Sequence, residues 1–170
     1  VYYTFGPSVK SLKKFKSDIK SVTKKSCTHS FEKWTKILNP VIRGKFNYFL
    51  IPFQVAREIR LLLNERGRVM HGISALDITK LDGYVRQRLR VSFSCRGKKH
   101  GGQAQGKLLT VKYDNKFFIK CMGLVTGAYM KAQIVFPGIN IDDFILLMDS
   151  NKKKSTSSQS KKRFFQYAYS

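Results

Sequence analysis

The side chains able to do chemistry in this sequence are overwhelmingly cationic. There are 33 Lys and Arg against 10 acids, a formal charge of +23. Self-repulsion of that size opposes compaction, and it makes sense when a polyanion supplies the counter-charge. Nucleic acid is the natural candidate, since each neutralised phosphate also releases counterions. On charge alone, a membrane surface or a ribosome-like assembly stays open. Groups for catalysis are scarce by comparison. Asp142-Asp143 is the only adjacent acidic pair, and helix capping explains it better than a two-metal site. No Walker loop, nucleophile elbow or His–carboxylate constellation occurs, so no catalytic residue is assigned. Cys27-x-His29 with Cys95 and His100 lacks the paired spacing of a zinc site, and no metal ligand is assigned. The three widely spaced cysteines make no disulfide framework and fit a reducing compartment.

Spacing says which elements must carry the cations. Val9, Leu12, Phe15, Ile19 and Val22 recur at helical spacing after Ser8, a plausible N-cap, and predict a helix to Lys25. On a wheel, Lys10, Lys13, Lys16, Lys20 and Lys24 form a stripe beside the apolar arc, while Asp18 points away. A lysine run is usually a solvated face. This one has no acid within it, so i,i+4 repulsion goes uncompensated unless something anionic lies against it.

Further on, Ser30 caps a predicted short helix from Phe31 to Leu38, and Asn39-Pro40 restarts the chain as N-cap and first helical residue. In the next helix Ile42, Phe46, Phe49 and Leu50 share one side, opposite Arg43, Gly44, Asn47 and Tyr48. Gly44 costs a helix interior about 1 kcal/mol relative to Ala. Close approach of another backbone, or plain helix–helix packing, would explain it. Pro52 opens a further stretch ended by Gly67, and a loop runs from Arg68 to Ala75. Asp77 then caps a helix to about Phe93, with Ile78, Leu81, Tyr84, Val85 and Leu89 inward and Arg86 and Arg90 on the opposite face. Arg88 falls inside the apolar arc, so it snorkels, pairs with a buried acid, or sits at a rim where phosphate reaches it.

Arg96 to Lys107 is a glycine-rich basic loop in which backbone amides beside Lys98 and Lys99 suit phosphate contact, although a solvated loop explains it equally well. Leu108 to Val125 is ambiguous between helix and strand, and supplies a second small apolar cluster through Phe117, Phe118, Ile119, Met122 and Leu124. Phe136-Pro-Gly is a turn, and Ile139 to Met148 has the length of one short helix.

The resulting plan is mainly α. One short strand and turn (1–7) precede a helical domain (8–95), the basic loop (96–107), a small mixed C-terminal extension (108–150) and a basic tail (151–170) disordered without a partner. No apolar run approaches the roughly twenty residues a bilayer span needs. No signal peptide is visible, and the start at Val1 instead of Met points to a fragment or processed piece.

Three segments in order resemble the thumb, or domain X, of group II intron reverse transcriptases, the intron maturase-specific domain. Phe5-Gly-Pro-Ser-x-x-Ser-Leu-Lys-Lys-Phe-Lys16 is similar to the junction between the last palm strand and the first thumb helix. Asn39-Pro-x-x-Arg-Gly-x-x-Asn-Tyr-Phe49 resembles the most distinctive thumb motif, and Leu81-Asp-x-Tyr-Val-Arg-x-Arg-Leu-Arg90 the third. The resemblance covers roughly residues 5 to 95. It implies a helical thumb bundle that tracks template–primer duplex and grips structured intron RNA. By position it carries RNA contact to Lys13, Lys16, Arg43, Asn47, Arg86 and Arg90, and gives Gly44 a role at a close contact. The chain departs from the pattern in the added helix and loop over 50–80, which leaves related retron, diversity-generating or defence-type reverse transcriptases open.

The resemblance further implies a polymerase palm and fingers in the same or another chain. Mg2+ is expected only in that palm, and no cofactor in this chain. The implied setting is bacterial cytoplasm or an organelle, with no membrane partner. A stand-alone maturase-derived splicing factor and a basic structural ribonucleoprotein component are the competing readings.

Overall fold

The computed structural model describes residues 6–24, 29–63, 72–94 and 109–155, and among these every regular element is helical. The expected strand at 1–5 lies outside the described residues. Ser8 caps α1 (Val9–Val22), accepting from the Ser11 amide at 3.2 Å. The helix stops at Val22, three residues before the expected end. Thr23 closes it by giving both its amide and its hydroxyl to the Ile19 carbonyl, at 2.9 and 2.7 Å.

The predicted breaks at Asn39-Pro40 and at Pro52 do not occur. One helix, α2, runs from Phe31 to Leu63 through both prolines. Each proline removes a single backbone bond, freeing the carbonyls of Lys36 and Tyr48, both on the exposed side of the helix. On the other side a continuous apolar face of Trp34, Leu38, Ile42, Phe46, Phe49 and Leu50 is buried. Each such side chain contributes roughly 1.5–3 kcal/mol, enough to carry the helix across two missing bonds. Asn39 is not an N-cap either. Its carboxamide faces a distant segment, accepting from the Val125 amide at 2.9 Å and donating to the Gly123 carbonyl at 3.0 Å.

The next helix, α3 (Ala75–Ser94), begins earlier than expected. Ser74, not Asp77, accepts from the Asp77 amide at 3.0 Å, and Asp77 sits in the first turn. The region expected to mix helix and strand is helical where described. A helical turn over 109–112 leads to a π-helical turn, Phe117–Cys121, in which the Met122 amide reaches back to the Phe117 carbonyl. Gly123 leaves that turn with φ 68°, a left-handed conformation that suits glycine. Then come α4 (Gly127–Val135) and α5 (Ile141–Ser155). The expected turn at Phe136-Pro-Gly is present, with Gly138 at φ 89°. The basic tail expected to start at 151 instead begins as the last turn of α5.

The helices close into a ring. α1 and α4 each pack against both α2 and α3, which stand across the core from one another. Phe118, Met122, Leu124 and Val125 belong to that same core, so the expected separate C-terminal cluster shrinks to Ile119, Phe144 and Ile145. The sequence misleads here because the contacts joining 122–127 to α2 span more than eighty residues.

Candidate nucleic-acid interface

The lysine stripe follows the wheel from Lys10 to Lys20, while Lys24 lies past the end of α1. Phe15 and Ile19 bury completely, and this fixes the roll of α1. Lys10, Lys13, Lys16, Lys20 and Lys24 are left exposed, with Lys14 beside them. None of them has a carboxylate partner among the described residues. The ion pairs found there, Lys116–Asp149 at 2.6 Å and Lys120–Asp142 at 2.8 Å, both lie in the C-terminal part. The stripe borders α3, since the Lys16 ammonium stands 5.7 Å from the Tyr84 ring and the Tyr84 hydroxyl donates to the Lys16 carbonyl at 3.3 Å.

Arg43, Gly44, Asn47 and Tyr48 form an exposed patch on the outer face of α2. Among the described residues, no atom outside the neighbouring turns of α2 stands within 4 Å of where a Gly44 Cβ would be. Packing against another described helix therefore does not explain the glycine. The contrast is Gly127, where a Cβ would lie 2.2 Å from the Phe46 ring, so α4 crosses α2 only because that residue is glycine.

The third motif is placed differently from the sequence expectation. Arg86 is not on an open face; it is buried, at 8% exposure. It lies near Asp82 without closing a direct ion pair. Asp82 spends both carboxylate oxygens on the start of α4, accepting from the Gly127 and Ala128 amides at 2.8 and 3.0 Å. That is where a helix N-terminus favours negative charge. Burial nevertheless pushes the Asp82 carboxyl above its usual range, against the pull of those two amides and of Arg86. Burial likewise lowers Arg86, opposed by the Asp82 charge.

Arg88 resolves its place in the apolar arc by a route outside the three considered. Its Nη2 donates to the Thr23 carbonyl at 2.7 Å and its Nε to the Thr23 hydroxyl at 3.2 Å, so it closes the C-terminal end of α1. Arg90 donates through Nε to the Tyr113 carbonyl at 2.8 Å and stands 5.1 Å from the Phe118 ring. Arg88 and Arg90 thus fasten α3 to two different neighbours, as Asp82 fastens it to a third. A similar duty falls to Arg57, which donates to the Ile134 carbonyl at the end of α4.

The structure thus leaves the α1 lysines exposed, with Lys16 at the α1–α3 border, and puts Arg43, Gly44, Asn47 and Tyr48 on the outer face of α2. It turns Arg86, Arg88 and Arg90 toward protein groups. Lys98 and Lys99 lie outside the described residues, as do Cys27, Cys95 and His100. The sequence reading passed over the exposed Lys36, Ile51 and Val55 on the outer side of α2. Their spacing from the Arg43–Tyr48 patch, seven residues for Lys36 and Val55 and three for Ile51, was the signal available. No helix among the described residues is long and apolar enough to cross a membrane.

Residues 12–65 match the family model described as group II intron, maturase-specific domain. That range takes in α1, α2 and the second motif, and stops before Leu81–Arg90. No curated protein and no solved structure gives a match.

Proposed function

We propose, from the premise that residues 12–65 carry a group II intron maturase-specific domain, that this chain grips structured RNA. In that reading it is the thumb, or domain X, of a group II intron-type reverse transcriptase/maturase. It would hold intron RNA during splicing and template–primer duplex during synthesis, with the polymerase palm and its Mg2+ supplied elsewhere in the same or another chain. The supporting observation is the exposed row of Lys10, Lys13, Lys16, Lys20 and Lys24, for which no carboxylate partner stands among the described residues. Such a row repels itself on a bare helix and is neutralised by a phosphate backbone.

The test is affinity for structured RNA across a salt series. Binding should weaken steeply with salt, and each lysine removed from the row should flatten the log–log slope by roughly one unit. Changing Lys13, Lys16 and Lys20 together to Glu should abolish binding while leaving the helical circular dichroism intact, because all three side chains are exposed. Salt-independent affinity, or full affinity in the triple variant, rules the reading out.

A further inference from the structure

The outer face of α2 also carries an apolar strip that the protein leaves bare. Gly44, Tyr48, Ile51 and Val55 follow at i, i+4, i+7 and i+11, which places them in one row along the helix. Tyr48 is 65% exposed, Ile51 51% and Val55 41%. The row begins at Gly44, where the helix backbone is open to anything that approaches. Exposed Arg43 adjoins that end, exposed Lys36 stands about two helical turns before it, and Asn47 lies beside Tyr48. The opposite end carries one acid, Glu58, exposed and accepting from Gln54 Nε2 at 3.4 Å, while the neighbouring Arg57 is turned to the Ile134 carbonyl. The strip is therefore polar in the directional sense: cations at its head, flat apolar surface along its middle, an acid at its foot.

A ligand that fits must bring negative charge to the head and apolar faces to the middle. A regular duplex brings the charge but keeps its base faces stacked inside. An apolar protein patch matches the middle and gives Lys36 and Arg43 nothing. Unpaired nucleotides carry both parts, a π-face that stacks on aromatic side chains and a phosphate for each base. We propose that the outer face of α2 binds unpaired RNA nucleotides, with bases on Tyr48 and Ile51 and phosphates at Arg43 and Lys36 beside Gly44. This rests on the RNA-binding reading above and narrows it. The lysine row of α1 holds phosphate backbone of any kind, whereas the α2 face selects loops, bulges and ends.

The experiment uses the full chain with two probes, a short unstructured uridine-rich RNA and a blunt RNA duplex of the same length. Tyr48→Ala should weaken single-strand binding about tenfold, in line with the loss of one base–aromatic stack, while Tyr48→Phe keeps it. Duplex affinity should be the same in both variants, and Tyr48 is exposed enough that neither change should disturb folding. Unchanged single-strand binding in Tyr48→Ala, or an equal loss on both probes, overturns the proposal. Self-association of the wild-type chain that Tyr48→Ala abolishes would overturn it too, by assigning the strip to a second copy. Failure of the wild-type chain to bind either probe would instead bring down the RNA-binding reading itself.

Discussion

Asp82 is a charge that acts as an internal clamp between α3 and α4. Buried at 4% exposure, it satisfies two amides at the start of α4 that have no helical partner of their own. Asp82→Ala should leave both unpaired and cost roughly 2–4 kcal/mol, measurable by urea unfolding. The pH dependence follows from the raised carboxyl. A folded-state value above the unfolded one means that folding favours the protonated form. Stability from this group is then gained as pH falls through the folded value, and lost as pH rises through it. The gap between wild type and Asp82→Ala should therefore widen from neutral pH toward the ordinary aspartate value of 3.8. A gap that narrows would show that the charged form is the one folding favours. At this scale the sequence was legible for the cap at Ser8 and for the exposure of the α1 lysines, which depend only on local spacing. Arg88 and Arg90 were placed differently because their partners, Thr23 and Tyr113, lie on other elements, which a helical wheel cannot show.

At the level of elements, α2 is where pattern and structure part most. Two prolines and an Asn-Pro pair are strong local stop signals, yet the buried face beneath them is continuous and outweighs two lost backbone bonds. The periodicity of Ile42, Phe46, Phe49 and Leu50 was legible, and the continuity through Leu38 and Ile42 was the clue not weighed. Gly44 gives a direct check on the helix. With nothing near its missing Cβ, Gly44→Ala should raise stability by about 1 kcal/mol from helix propensity alone. Thermal unfolding of the two chains decides it. A loss of stability would mean that the position is crowded or not helical.

For the molecule as a whole, charge and packing divide the chain along different lines. Between 109 and 150, Lys112, Lys116, Lys120 and Lys131 are balanced by Asp114, Asp142, Asp143 and Asp149, so the positive excess lies elsewhere in the chain. The core ignores that division, since Phe118, Met122, Leu124 and Val125 are buried with α1, α2 and α3. A chain ended at residue 108 should accordingly lose its cooperative thermal transition by circular dichroism. A sharp transition near the full-length temperature would show that the first three helices form a complete core alone. An appended C-terminal extension was the natural expectation from sequence, because the cation-rich, glycine-rich stretch before it looks like a boundary. Three-dimensional closure across that stretch leaves no periodic trace.

The closed ring also sets a schedule for synthesis. Asn39 must wait for Gly123 and Val125, and Phe46 for Gly127, before α2 is covered on that side. At ribosomal rates of roughly 5–20 residues per second, the interval between completing α2 and completing α4 is roughly 4 to 14 s. Throughout it, the exposed lysines of α1 would sit beside uncovered apolar surface. If the chain grips RNA as proposed, an emerging copy would be open to premature capture by whatever RNA is nearby, including the message that encodes it.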